Sequence, residues 1–223
     1  MQEIRRRLEA ARPGILIEFR QSYMGPAIRS FGNMIRAGDV PGDPLRNRAR
    51  TARLRLTSGT TAVHSDMLEW NPRETPQQAA QQILSVLFSV IQYSMRLDRL
   101  PADHKRMVRH WIAWTAAHRD ALLRGSFSPR SPELGYPLLE GASASERVLA
   151  VYEPGLCVAV PGDREAWIVN ATDSPALLLD LAAAPVSAEA FDTFGDPVAL
   201  AAPGRGLQRA AVPPSGLLRL RFA

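Results

Sequence analysis

The chain of 223 residues has a single cysteine, Cys157, which excludes an internal disulfide and any multi-thiolate metal site built by this chain alone. It has few lysines. The 27 basic residues that outweigh 22 acidic ones are mostly arginine, in an alanine-rich background. That bias fits a GC-rich genome better than selection for a nucleic-acid surface, so no nucleic-acid partner is expected. No segment approaches the roughly 18 unbroken apolar residues of a membrane span, and no membrane partner is expected either. The opening stretch MQEIRRRLEAARPG is basic but has no apolar segment behind it. It does not read as a secretory leader, and a cytoplasmic location is the expectation. His104, His110 and His118 lack the spacing and acidic partners of a metal site, and no metal or other cofactor is anticipated. The chain does have 46% hydrophobic residues, enough to bury a core in one large or two small domains.

Apolar periodicity and turn chemistry divide the chain into two textures. Residues 2–11 place Ile4, Leu8 and Ala11 on one helical face before Pro13-Gly14 stops the helix. ILIEF then reads as a strand, Ala27 to Phe31 as a short helix, and NMIRA as a second strand. Asp43 and Pro44 form a helix start, because Asp accepts free N–H groups and Pro suits the first helical position. TTAVHS is the third strand candidate. A long helix is predicted from Pro76, with Ala80, Ile83, Leu84, Leu87, Val90 and Ile91 at helical spacing. Asp103 is the predicted cap of another helix, with Met107, Trp111, Trp114 and His118 along it and Gly125 past its end. A helix followed by three strand–helix units predicts parallel strands with right-handed crossovers.

From Ser126 the texture changes. SFSPRSPELGYPLL shows little periodicity, and RVLAVYEP, LCVAVP, AWIVNAT, ALLLDLA and GLLRLRF are short apolar runs between turn residues. That spacing predicts an antiparallel sandwich, with the domain boundary placed near residue 142: residues 1–142 α/β, residues 143–223 all-β. Three strands are few for a parallel sheet, and the chain opens directly in an amphipathic helix. Both features predict the C-terminal part of a longer protein.

Two aspartates stand four positions apart in FGNMIRAGDVPGD, Asp39 and Asp43. Asp43 is assigned to the helix cap. Asp39 follows a strand beside Gly38, and reads either as a turn residue bonded to its own loop or as a group positioned for chemistry. Asp66, in HSD, also follows a strand candidate. Glu18 and Arg20 alternate about Phe19 and leave one sheet face. They pair with each other or face a ligand. The run RNRARTARLRL spreads Arg46, Arg48, Arg50, Arg53 and Arg55 around a helix without interleaved aromatics, which predicts a solvated outer face rather than a phosphate-binding stripe. Trp111 and Trp114 are predicted to be core residues.

The run ILIEFRQSYMGPAIRSFGNMIRAGDVPGD, continued by RLRLTSGTTAVHSDMLEW, resembles the last three barrel strands of melibiase-type α-galactosidases, glycoside hydrolase family thirty-six. More distantly it resembles the related α-glucosidase and α-xylosidase group. FSVIQYSMRLDRLPADHKRMVRHWIAW and HRDALLRGSFSP resemble the closing helices of that family. The resemblance implies the C-terminal part of a (β/α)8 barrel followed by a small antiparallel β-sandwich, and an oligosaccharide or α-glycoside substrate. It implies that Asp39, in RAGD, is the general acid/base. Glu18, Arg20, Arg36, His64 and Asp66 then face the sugar, Asp66 as hydroxyl acceptor and His64 as donor. The family commonly has Trp where Arg36 stands and a Cys-Gly-rich loop where this sequence has FRQSYMG. Barrel strands one to five, with the nucleophilic aspartate, have no counterpart here, so the chain alone is expected to be inactive. The alternative is a non-catalytic carbohydrate-binding or subunit-interface module, with homo-oligomers or other association through the truncated barrel.

Overall fold

The alternation of short apolar runs with capped helices produces a parallel sheet in the computed structural model, which describes residues 1–20 and 25–223. Helix α1 (Gln2–Ala11) leads to β1 (Glu18–Arg20), α2 (Pro26–Arg29), β2 (Met34–Arg36), α3 (Pro44–Ser58), β3 (Ala62–Leu68), α4 (Pro76–Leu84), β4 (Val90–Tyr93) and α5 (Ala102–Ala117). The four strands lie side by side in chain order and all run parallel. Most of the loop FRQSYMG, residues 21–24, lies outside the described residues.

Local chemistry explains the element ends. Gly42 adopts the left-handed region at φ 70°, where glycine has no Cβ to clash, and the chain turns there into the cap of α3. Asp43 accepts the Arg46 N–H at 2.9 Å, and Pro44 takes the first helical position. Helix α4 begins with a reciprocal pair: the Thr75 hydroxyl accepts from Gln78 N–H, and the Gln78 side chain accepts from Thr75 N–H. This is the capping box.

Two expectations about this half are corrected. Helix α4 stops at Leu84 instead of continuing through Ile91, and a turn closed by Ser89 N–H to Val86 C=O at 3.0 Å delivers Val90–Tyr93 as a fourth parallel strand. Periodicity could not separate the two because a buried strand is as apolar as a buried helix face, and here no Gly or Pro marks the break. The cap of α5 is Pro101, and Asp103 sits in the first turn, bonded to the adjacent His104 N–H.

The remaining strands are β5 (Ser126–Arg130), β6 (Leu138–Ala142), β7 (Glu146–Val151), β8 (Cys157–Val160), β9 (Glu165–Asn170), β10 (Ala176–Leu181), β11 (Ser187–Phe191), β12 (Pro197–Val198), β13 (Gly206–Ala211) and β14 (Leu217–Arg221). They form a seven-stranded sheet ordered β12-β11-β14-β9-β7-β6-β5 and a three-stranded sheet ordered β13-β10-β8. The pairing is mixed, not purely antiparallel: β7 with β9 and β8 with β10 run parallel. The chain crosses to the other sheet between the members of each pair, and a strand that returns after such a crossing enters in the original direction. Strands β5 and β6 join the seven-stranded sheet although they precede residue 143.

Both faces of that sheet are buried. Leu149, Val151, Ile168, Leu218 and Leu220 share a core with Val158, Val160, Leu179 and Leu181 of the smaller sheet. The alternate residues Val148, Ala150, Trp167, Val169 and Leu217 pack with Ala80, Ile83, Met107, Trp111 and Trp114 of α4 and α5. This is the two-residue period of strands meeting the helical period of α5. The arginines of α3 reinforce the packing. Arg46 and Arg53 are exposed as predicted for a solvated face, but Arg48 is buried, stacks over Tyr152 at 4.1 Å and donates to Gly135 C=O at 3.0 Å. Arg55 lies over Phe127 at 4.3 Å and donates to the carbonyls of Phe88 and Leu122. The solvated-face expectation is therefore corrected for these two, whose long stems and planar heads suit an aromatic and carbonyl-lined setting.

Trp111 has no exposed surface, and its indole N–H has no partner among the described residues. Trp111→Ala should therefore lower stability by about 3–5 kcal/mol in urea denaturation. Trp111→Phe should cost much less, because it keeps most of the packing and removes an unsatisfied donor.

Candidate functional site

The register of the parallel sheet brings the sequence-selected residues together. Arg20, Arg36 and His64 are aligned across β1, β2 and β3, as are Phe19, Ile35 and Val63 one position earlier. Alternation sends the second row toward α3, where Ile35 and Val63 meet Leu54. The first row, with Glu18 two residues before Arg20, leaves the opposite face near the carboxyl ends of the strands. Asp39 lies in the loop after β2, and Asp66 lies within β3, two residues before its last residue.

The two carboxylates have different surroundings. Asp66 is fully buried. One of its oxygens accepts from Arg36 at 2.6 Å and the other from the Val40 N–H. Its backbone is held by Asn47 of α3, whose Oδ1 accepts the Asp66 N–H at 3.1 Å while its Nδ2 donates to the Asp66 carbonyl at 3.4 Å. With both oxygens engaged and no exposed surface, Asp66 is placed to hold the Asp39 loop over the end of β3. A ligand hydroxyl would have to displace Arg36 or the Val40 N–H to reach it.

Asp39, by contrast, has a side chain 49% exposed. Arg36 reaches it at 3.2 Å, Arg20 pairs with its other oxygen, and Arg50 of α3 donates to its carbonyl at 3.1 Å. Arg20 therefore pairs with Asp39, and Glu18 lies 3.4 Å from His64 Nδ1. The alternative in which Glu18 and Arg20 satisfy each other is not what the sheet shows. Burial lowers the His64 pKa from its ordinary value, and the Glu18 carboxylate partly offsets that effect. Arg36 is nearly buried and bridges Asp39 and Asp66.

The residues missed by sequence reasoning are Asn47 and Arg50. Asn47 carries one usable signal: it precedes Thr51 by four residues and Leu54 by seven, the buried stripe of α3. The other histidines singled out in the sequence are committed elsewhere. His104 accepts from the Trp70 indole N–H through Nδ1 at 3.0 Å and contacts the Glu74 carbonyl through Nε2 at 2.9 Å. Since the indole can only donate and the carbonyl can only accept, the ring must carry its proton on Nε2. His118 contacts Glu146 at 2.7 Å beside Trp114 and Trp167.

What this arrangement can do follows from its parts. It presents a half-exposed carboxylate, a guanidinium on either side of it, and a neutral-leaning imidazole with its carboxylate partner, all on one open face at the strand ends. Parallel α/β sheets characteristically carry their ligand sites there. No family model matches the chain, and no curated protein matches it.

Breaking the buried pair should cost far more than removing the accessible carboxylate. Asp66→Ala is expected to lower stability by about 3–5 kcal/mol, because it strands Arg36 in the interior. Asp39→Ala should cost under about 1 kcal/mol. Chemical denaturation of the two variants distinguishes these roles. A second measurement concerns His64. Its folded pKa is lowered, so the unfolded chain binds the proton first as pH falls through the ordinary histidine range, and stability is lost in that interval. In an NMR titration Glu18→Gln should move the His64 midpoint further down, since the carboxylate acts to raise it.

Proposed function

We propose that the strand-end row forms the acid/base side and part of the sugar pocket of a retaining α-glycoside hydrolase, most simply one resembling an α-galactosidase. The observation that carries this reading is the convergence of Glu18, Arg20, Arg36, Asp39 and His64 from three adjacent parallel strands onto one face. In this reading Asp39 transfers the proton, while Arg20, Glu18 and His64 engage sugar hydroxyls. Arg36 forms a charged wall, and Asp66 acts through Arg36 and the Val40 N–H by fixing the loop.

Retaining hydrolysis needs a second carboxylate about 5–5.5 Å from the first. In the row as it stands Glu18 is beside His64, and Asp66 is enclosed. The attacking carboxylate therefore belongs, on this proposal, to barrel strands outside these 223 residues. The sheet supports that placement, since among the described residues β1 and β4 each have one paired neighbour and one open side, and a closed barrel has no edges. Two guanidinium neighbours favour the charged form of Asp39, whereas a second carboxylate close by favours the neutral form of one member of the pair. The proton-donating state is thus assembled only with the nucleophile in place. The two stacked C-terminal sheets read, in the same proposal, as the accompanying β-sandwich.

The same open edges favour a second reading, a sugar-binding or subunit-interface module without turnover. Both readings require the row to bind a sugar or a partner strand. Titration of the isotopically labelled chain with methyl α-galactoside should shift the amides of Arg36, Asp39 and His64, with a dissociation constant on the order of millimolar. Arg20→Ser and His64→Ala should weaken it several-fold. Absence of any shift with sugar at about ten times that concentration would remove the carbohydrate assignment.

A further inference from the structure

At the opposite pole of the parallel sheet, where β3 and β4 begin, lies a cavity of about 550 Å³ lined by Arg55, Arg119, Arg124, Ser58, Thr60 and Thr61, among others. Its charge is unbalanced. Arg124 pairs with Asp120 at 3.0 Å, but among the described residues no carboxylate lies within ion-pair distance of Arg55 or Arg119. Arg55 is held in place by the carbonyls of Phe88 and Leu122 and by the face of Phe127. Its pKa is pushed down to about 10 by burial alone, with no acid contributing, so it remains cationic at neutral pH. A fixed, partly desolvated guanidinium without an anionic partner is a strong attractor for an oxyanion. The threonine hydroxyls of Thr60 and Thr61 make no side-chain hydrogen bonds among the described residues and supply further donors.

A second cavity of about 260 Å³ adjoins the first, sharing Ser89, Val90, Arg119 and Leu123 as walls. It is apolar, bounded by Ile91, Ile112 and Leu122, with Tyr93 alongside. The Tyr93 hydroxyl is buried without a partner among the described residues, and burial raises its pKa, so it stays protonated and able to donate. We propose that the two cavities together bind a small phosphate monoester: the phosphate among Arg55, Arg119 and the Thr60–Thr61 hydroxyls, and its apolar body against Ile91 and Ile112 within reach of the Tyr93 hydroxyl. A monoester carries close to two negative charges and three acceptor oxygens at neutral pH, which suits several guanidinium and hydroxyl donors better than a carboxylate does. This site is independent of the sugar-facing row and of the glycosidase reading.

The probe is phenyl phosphate, compared with inorganic phosphate by calorimetric titration of the full chain, with sodium chloride at matched ionic strength as control. Phenyl phosphate should bind about tenfold more tightly than inorganic phosphate, as expected for partial burial of one ring. Arg119 is exposed and unpaired among the described residues, so Arg119→Ser keeps the fold. It should weaken both ligands about tenfold, the effect of one charge-assisted hydrogen bond. Ile112 is also partly exposed at the helix surface, and Ile112→Ser should weaken phenyl phosphate alone. The proposal is overturned if chloride reproduces the heat, if Arg119→Ser binds as well as the parent chain, or if Arg20→Ser abolishes binding, which would place the anion at the Asp39 end. Equal affinity for the two phosphates would overturn the apolar half.

Discussion

The buried pair between Arg36 and Asp66 is the constraint on which the strand-end geometry rests. Taking two charges out of water is expensive, and their attraction offsets that cost only when the remaining hydrogen-bonding capacity is also met. Here it is met: the second oxygen of Asp66 takes the Val40 N–H, Arg36 extends its other nitrogen to Asp39, and Asn47 closes on the Asp66 backbone. Together these bonds tie the loop after β2 and helix α3 to β3. The loop after β2 is pinned by Val40, helix α3 by Asn47, and the half-exposed Asp39 by Arg36. Asp39 is thereby presented at a defined place although it sits in a loop. A functional carboxylate is useful only when the structure around it fixes its position.

The rest of the molecule is organised around two polar ends of one sheet and two apolar faces of another. The parallel sheet presents a mixed-charge row at its carboxyl end and, at its amino end, a cavity in which Arg55 and Arg119 have no carboxylate within ion-pair distance among the described residues. The seven-stranded sheet packs on both faces, against helices α4 and α5 on one side and against the smaller sheet on the other. Arg48 and Arg55 join these parts by stacking on Tyr152 and Phe127. The arginine run of α3 is thus partly internal adhesive and only partly solvated surface.

Much of this was legible in the sequence wherever a local rule decides the outcome. Asp43-Pro44 set the start of α3, and the apolar spacing of Met107, Trp111 and Trp114 marks a buried helix face. The alternation of strands and helices predicts the parallel sheet. Alternation about Phe19 pairs Glu18 with Arg20 on one face, whereas Arg36 and His64 stand out only through the resemblance to a barrel family. What escaped depends on contacts distant in sequence. β4 was hidden because Val90 and Ile91 continue the helical period of α4, and only pairing with β3 reveals them as a strand. Asp39 and Asp66 look alike in sequence, each after a strand and a small residue. Their separation into an accessible and an enclosed carboxylate is produced by Arg36 and Val40. Arg48 and Arg55 could not be told from Arg46 and Arg53 without knowing where Tyr152 and Phe127 would lie. The parallel pairs in the C-terminal sheets escaped for the same reason, since crossing between sheets leaves no mark in a run of short apolar segments.

The central claim is that the buried carboxylate of Asp66 holds the loop that carries Asp39, and amide hydrogen exchange at Val40 tests it most directly. Although Val40 lies in a loop, its N–H should exchange as slowly as the amides of the β3 core, and in Asp66→Ala, which leaves it no side-chain acceptor, its protection should fall far more than that of the core amides. Exchange of Val40 in the parent chain at the rate of the neighbouring Gly42 amide would contradict the claim, and would mean that Asp39 is not held by the sheet beneath it.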